Sequence, residues 1–110
     1  MGGAMQPQGH AQIVINIVDF DMNLQEAGDA PRIRHQSDQQ PTGGDMIGGG
    51  ELALETGFDY KQVRELMKKG HKIIYDLGSF GGYQAIMIDY INKVYYGASE
   101  SRKDGNAIGY

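Results

Sequence analysis

Residues 1–20 of this 110-residue chain are MGGAMQPQGHAQIVINIVDF, a glycine pair followed by one of the most apolar runs in the sequence. β-Branched residues are frequent in this run, which favours a strand. The segment from residue 6 to residue 20 has no turn signal, however, and is longer than a typical strand. Pro7 suits the first turn of a helix, where its missing N–H costs nothing. We therefore predict a helix over residues 6–20, with a strand as the alternative, and expect it to be buried on nearly all sides.

The composition excludes several classes of protein. The formal net charge is −4 and the ten Lys and Arg form no long basic run, so nucleic acid is not expected as a partner. No apolar stretch reaches the roughly 18 residues of a membrane-spanning helix. A basic region followed by an apolar one is missing at the N-terminus, so no signal peptide and no membrane partner are predicted. Cysteine is absent, which excludes disulfides, Cys-ligated zinc and thiol catalysis.

Two further helices are predicted from their capping signals. Asn23, with Glu26 three residues later, has the pattern of a capping box and predicts a short helix that ends near residues 28–31. Asp59 is a second favourable N-cap, and Gly70 is placed to end that helix in a left-handed conformation. The residues expected to face inward from the second helix are Val63, Leu66 and Met67.

Short alternating or apolar segments predict the strands. They are residues 32–35, 51–55, 71–75, 84–91 and 94–96, the last two joined near Asn92 and Lys93. Residues 36–50 are polar and rich in glycine, which is typical of a surface loop. No internal repeat is visible. The count of two or three helices and four or five strands predicts an α/β or α+β fold, in one domain over residues 1–110 without an internal boundary.

Local motifs provide no convincing metal site or nucleophile. Asp19, Asp21 and Asn23 have the spacing of a calcium loop, but Leu24 replaces its glycine and Ala30 its bidentate glutamate. These aspartates are expected to mark the end of one helix and the approach to the next. The three histidines lack metal-ligand spacing, and no serine lies in a GxSxG motif. No metal and no cofactor are predicted.

The glycine pair has two explanations. Gly2 and Gly3 precede the predicted helix, where flexible residues can turn backbone N–H groups toward an oxyanion with help from the helix dipole. An ordinary turn into a helix explains the same pair. From spacing alone, the ordinary turn is favoured.

Several segments occur together in the order typical of one family. They are MGGAMQPQGH (1–10), the apolar run, NLQEAGDAPRIRH (23–35), the triple glycine before a strand (48–50), FGGYQAI (80–86) and YGASESRKDGNAIGY (96–110). Over essentially its whole length the chain resembles the C-terminal portion of the small subunit of γ-glutamyltranspeptidases and their acylase-like relatives. APRIRH and GASxxRKDG, followed by a C-terminal GY, are the more specific segments. Residues 4–8, AMQPQ, are closer to the acylase-like relatives, because the transpeptidases proper commonly have serine after the glycine pair.

The resemblance implies a fold and a chemistry. This family consists of N-terminal-nucleophile hydrolases with a four-layer αββα sandwich, so the fold is expected to be α+β and part of that sandwich. A precursor cuts itself, and the new N-terminal threonine attacks a γ-glutamyl or other amide bond with its α-amine as base. The family's oxyanion-hole glycines fall on Gly2 and Gly3. Compartments differ among members, which are often periplasmic or secreted and sometimes cytoplasmic.

The resemblance also implies what these residues lack. The family's threonine, its paired serines and the residues that bind the substrate α-amino group all precede the glycine pair, and the large subunit partly binds the α-carboxylate. The chain is then expected to be inactive alone. Its partners would be the remainder of the small subunit and the large subunit, with a homo-oligomer as a further possibility. An independently folding, non-catalytic module is the alternative, and a small stand-alone enzyme is the least favoured hypothesis.

Two arginines lie in segments that match the family. Arg32 in APR and Arg102 in ASxxR can each bind a carboxylate through two hydrogen bonds. Both are predicted to be structural rather than catalytic. Asp29 and Asp104 are the nearest acidic residues in the sequence, and a distant partner is the alternative.

Overall fold

A computed structural model describes residues 2–36 and 48–109, so most of the predicted 36–50 loop lies outside the described residues. The fold is α+β. In chain order the elements are a 3₁₀ turn (Gly3–Met5), α1 (Gln6–Val18), α2 (Leu24–Asp29), β1 (Ile33–Gln36), β2 (Glu51–Leu54), α3 (Tyr60–Lys68), β3 (Ile73–Tyr75), β4 (Gln84–Asp89) and β5 (Val94–Ser99). Two compact units contain them, Met1–Ala30 with Gly81–Tyr110 and Pro31–Phe80. Among the described helices, none has both the length and the hydrophobicity of a membrane span.

Helix α1 confirms the helix that was predicted from the N-terminal run, with Pro7 in its first turn. The expectation that it is buried on nearly all sides is wrong. Val14 is 57% exposed and Val18 is 72% exposed, while Ile13 and Ile17 pack against a small buried cluster. The apolar run predicts a helix but not how much of its surface is covered. The described residues of this unit cover only one side of it.

Helix α2 follows the predicted capping box. The Asn23 side chain accepts from the Glu26 N–H, and the Glu26 carboxylate accepts from the Asn23 N–H, both at 2.9 Å. Asp19 caps the end of α1, so the two aspartates mark the helix junction as expected.

The core of this unit forms where α2 meets the β4–β5 hairpin. Leu24, Tyr83 and Ala98 are its buried members, and the Tyr83 hydroxyl donates to the Leu24 carbonyl at 3.1 Å. A Cβ on Gly28 would lie 2.5 Å from Cε1 of Tyr83, well inside van der Waals contact. Only glycine therefore fits beneath the tyrosine ring.

The second unit is a three-stranded sheet of order β1-β2-β3. β1 and β2 are antiparallel, whereas β2 and β3 are parallel, as expected for strands that a helix connects. Asp59 caps α3 by accepting from the Lys61 N–H, and Gly70 has a φ of +93°, as predicted. Of the three predicted inward-facing residues, Val63 is buried and Leu66 half-buried, but Met67 is exposed.

A compact turn joins β4 to β5, near the predicted position. The Asp89 carboxylate accepts from the backbone N–H groups of Ile91 and Asn92 at 2.9 Å and from Asn92 Nδ2 at 2.7 Å. Lys93 completes the turn with a φ of +57°. The hydrogen bonds from Asn92, backbone first, hold the pKa of Asp89 below its usual value.

We expect this turn to loosen in acid. Because the folded-state pKa of Asp89 is lowered, its contribution to stability is present above the unfolded value of about 3.9 and is lost as pH falls through the folded value. Amide exchange in the hairpin should accelerate below about pH 4 in the native chain and lose this dependence in Asp89→Asn. Asp104→Asn, in the tail, is the charge-matched control. An unchanged pH profile in Asp89→Asn would show that the carboxylate does not stabilise the turn.

Candidate functional site

The glycine pair lies at the N-terminus of the long helix, as the sequence predicted. Gly3 has a φ of +51°, a left-handed conformation that favours glycine. The first helical hydrogen bond runs from the Met5 N–H to the Gly2 carbonyl at 2.8 Å. The N–H groups of Gly3 and Ala4 therefore belong to the first turn, where a helix provides no acceptor of its own.

The surroundings of the pair differ on its two sides. A Cβ on Gly2 would lie 3.3 Å from the Cα of Gly81, whereas a Cβ on Gly3 would meet no atom within 4 Å. Met5, the last residue of the 3₁₀ turn, is buried and only 4% exposed. Gly2 thus packs against Gly81, which lies shortly before β4. Gly3 faces open space in the described structure.

Such an arrangement suits a negative charge. The 13 residues of α1 orient their peptide dipoles with the positive end at this turn, and exposed N–H groups there are typical anion-binding donors. Whether these glycines form an oxyanion hole stays a prediction. In the part of the chain that the structure describes, no group of three or more acidic or histidine side chains could hold a metal ion.

Arg102 lies at the other end of α2 from its cap. Its guanidinium donates to the carbonyls of Gly28 and Ala30, both at 2.8 Å. It also forms a salt bridge of 2.9 Å with Glu100, whose side chain is fully buried. A cation that donates to the last carbonyls of a helix is favourable for the helix dipole.

Neither Asp29, which is near Arg32 in the sequence, nor Asp104, which is near Arg102, provides this salt bridge. Asp29 contributes its backbone carbonyl to Arg102 at 3.5 Å. Its carboxylate instead accepts from Gln25 at 2.8 Å and from the Ser101 N–H at 3.2 Å. The bond from Gln25 is the main cause that lowers the pKa of Asp29, with Ser101 and Arg102 contributing.

Arg32 is buried, with 3% of its surface exposed. Its guanidinium donates to the Phe80 carbonyl at 2.9 Å, and its backbone N–H donates to the Glu55 carboxylate at 2.9 Å. Both arginines thus bind backbone carbonyls within their own units. A structural role for Arg32 and Arg102 stays a prediction that agrees with this geometry.

Glu100, Tyr83 and Gln25 were not predicted from the sequence as important residues. Glu100 is charged and would ordinarily be solvated, yet it is 2% exposed. Its spacing of two residues from Arg102 was the one available signal. Gln25 hydrogen-bonds to Ser99, 74 positions away, which no local pattern can show.

Comparisons with known proteins agree on one family. A sequence model described as gamma-glutamyltranspeptidase matches residues 1–110. The glutathione hydrolase proenzyme of Escherichia coli (strain K12) is 34% identical over 100 residues, covering 90% of this chain and 15% of that protein. The chain therefore spans a small part of the length of its curated relatives.

Solved structures show the same similarity. A cephalosporin acylase from Bacillus halodurans is 36% identical and superposes with a TM-score of 0.81, covering 100% of this chain and 19% of that one. An acivicin-inhibited gamma-glutamyltranspeptidase is 29% identical with a TM-score of 0.70, covering 89% of this chain and 48% of that one.

Proposed function

The chain belongs to the gamma-glutamyltranspeptidase family, and we propose that it is the C-terminal segment of an amide hydrolase or transferase of that family. In this proposal its 110 residues supply the oxyanion-hole glycines and one part of the four-layer sandwich. The remainder of the small subunit and the large subunit supply the rest. The observation that carries the proposal is the position of Gly2 and Gly3 at the N-terminus of α1, with Gly3 in a left-handed conformation.

The proposed chemistry uses backbone groups only. Attack on an amide carbonyl carbon moves an electron pair onto the carbonyl oxygen, and N–H donors that are already oriented stabilise this oxyanion without reorganising. The proposed donors are the N–H groups of Gly2, at the N-cap, and Gly3, in the first turn, and the dipole of α1 adds to the effect. The nucleophile and base of the family, an N-terminal threonine and its amine, are not among these residues.

The substrate of the longer protein is proposed to be an amide of the acylase type. Residues 4–8 after the glycine pair resemble the acylase-like members, and the Bacillus halodurans cephalosporin acylase matches the full length of the chain. The similar identity to a glutathione hydrolase proenzyme, 34%, keeps γ-glutamyl compounds as the second substrate class.

The chain alone is expected to be inactive. Neither γ-glutamyl-p-nitroanilide nor the amide side chain of a cephalosporin should be hydrolysed above the buffer rate, because no nucleophile and base accompany the glycines. In serine proteases that lack their catalytic residues, the oxyanion hole and binding retain only ~10³–10⁴-fold over water. Release of p-nitroaniline that persists through repurification and scales with protein concentration would contradict the proposal.

A chimera tests the role of the glycines directly. The region of the Bacillus halodurans cephalosporin acylase that this chain matches is replaced by residues 1–110, and cephalosporin hydrolysis is measured. Gly3→Ala disfavours the left-handed φ of +51° that orients the N–H of this residue, and should lower kcat by up to about 10²–10³-fold, the cost of losing one oxyanion donor. Gly9→Ala, inside α1 where an added Cβ would meet no atom within 4 Å, is the matched control. Equal losses in both variants, or a folded chimera without hydrolysis, would refute the oxyanion role.

A further inference from the structure

In the β4–β5 hairpin, some backbone N–H and C=O groups point toward the paired strand and others point away from it. One contact shows which groups point away. Gln25 Nε2 donates to the Ser99 carbonyl at 2.9 Å, and the Ser99 N–H donates to Gln25 Oε1 at 3.3 Å. Both backbone groups of Ser99 therefore point away from β4. Because this direction alternates along an antiparallel strand, Gly97 and Tyr95 also point outward from β5.

The register carries the assignment to β4. Gln84, Ile86 and Ile88 lie opposite Ser99, Gly97 and Tyr95, and residues in such pairs share the same bonding state. Their N–H and C=O groups therefore form the outer edge of β4. The Glu100 N–H donates to the Tyr83 carbonyl at 3.4 Å. This bond continues the hydrogen bonds between the two strands and agrees with the alternation.

The two outer edges differ. On β5 the amide of Gln25 occupies the edge at Ser99 like the end of a neighbouring strand, and Asp29 holds that amide at 2.8 Å. On β4, within residues 2–36 and 48–109, no backbone hydrogen bond reaches the outer groups of Ile86 or Ile88. Proteins usually protect an edge strand with charged residues or proline. Residues 84–88, QAIMI, contain neither.

Both faces of the hairpin are apolar and exposed toward its turn. On one face Ile86 is 74% exposed and Tyr95 is 73% exposed. On the opposite face Met87 is 40% exposed and Tyr96 is 46% exposed. Strands that are apolar on both faces are typical of a sheet that is covered on both sides, so more polypeptide is needed here than a single partner strand.

We infer that the outer edge of β4 is the site where a strand of the longer family polypeptide, from outside these 110 residues, joins this sheet. β5 then remains the edge strand, ended at Ser99 by Gln25. The inference rests on the proposed assignment to a longer hydrolase but not on catalysis. The relatives supply the necessary length, since the chain covers 15% of one and 19% of another.

A second copy of this chain fits the edge less well. Antiparallel β4–β4 pairing would join two short strands and leave both apolar faces of each hairpin exposed. A strand that arrives together with its own sandwich layer covers the edge and the faces at once.

Hydrogen exchange provides the test without any substitution. The 110-residue chain is compared with the acylase chimera that carries the same residues. In the chimera the amides of Ile86 and Ile88 should exchange at least about tenfold more slowly than in the chain alone, whereas those of Tyr95 and Gly97 should not. Protection of the β5 amides instead, no protection at either edge, or a chimera that does not fold would overturn the inference.

Proline substitutions provide an independent check. Proline is accepted on an edge strand where the N–H faces outward. Ile86→Pro removes the outward N–H and the exposed side chain at the proposed contact, and Tyr95→Pro makes the matched change on β5. Ile86→Pro should accelerate global exchange in the chimera more than tenfold beyond its effect in the isolated chain, and Tyr95→Pro should act equally in both. An equal effect of Ile86→Pro in the chimera and in the isolated chain would contradict the inference. So would a homodimer of the isolated chain that Ile86→Pro dissociates.

The catalytic proposal is tested separately. Loss of hydrolysis with β4 protection intact would contradict only that proposal.

Discussion

Replacement of Arg102 by alanine is expected to destabilise the unit that contains α2 and the β4–β5 hairpin by about 3–5 kcal/mol, the cost of breaking a buried ion pair by removing one partner. The side chain of Glu100 is 0% exposed and that of Arg102 is 14% exposed. Without the guanidinium, the buried Glu100 carboxylate loses its ion-pair partner, and the carbonyls of Gly28 and Ala30 lose the donor that Arg102 provides. Urea denaturation and amide exchange in α2 and β5 measure the loss.

Three variants separate charge from geometry. Arg102→Lys keeps the charge but loses the planar fork that reaches both carbonyls, so we expect an intermediate loss. Adding Glu100→Gln to Arg102→Ala removes the buried charge and should recover part of the stability. A change in Arg102→Ala no larger than the ~0–1 kcal/mol of a surface ion pair would show that the pair is not effectively buried.

Replacement of Phe80 by alanine is expected to cost the Pro31–Phe80 unit about 3–5 kcal/mol, the usual range for a buried aromatic residue. Phe80 is 1% exposed and is one of the two largest fully buried side chains among the described residues, the other being Leu54. The substitution leaves a cavity beside the backbone carbonyl that accepts from Arg32. Amide exchange in β2 and α3 should report the loss.

Matched substitutions define the specificity of that effect. Phe80→Leu keeps most of the volume and should cost clearly less than alanine. Leu77, three residues earlier and 94% exposed, provides Leu77→Ala, which should stay within about 0.5 kcal/mol. Similar losses in Leu77→Ala and Phe80→Ala would show that the phenyl ring is not the source of the stability.

The signals that predicted the fold well were local. The capping box at Asn23 and Glu26, the cap at Asp59 and the left-handed Gly70 each depend on neighbours within a few residues. The structure confirms them because capping is decided by the backbone of the same turn. The α+β class follows from the elements that these signals delimit.

The parts that could not be predicted depend on distant residues. Arg102 binds carbonyls 72 and 74 positions earlier in the chain, and nothing in the local sequence specifies that contact. The apolar run of α1 predicted a helix correctly but not its exposure, since hydrophobicity does not say which polypeptide covers it. The glycine pair could be placed at a helix start, while its role in an oxyanion hole stays a proposal.

The contact between Gly28 and Tyr83 has a consequence for how this protein can diverge. A methyl group at position 28 and a ring at position 83 compete for the same volume, so neither position can drift alone toward a larger side chain. The accessible route is a paired change, in which position 83 becomes small before position 28 gains a side chain. Sequences along that route would lose the Tyr83 hydroxyl that donates to the Leu24 carbonyl. A change at position 28 therefore also costs the hydrogen bond at position 24.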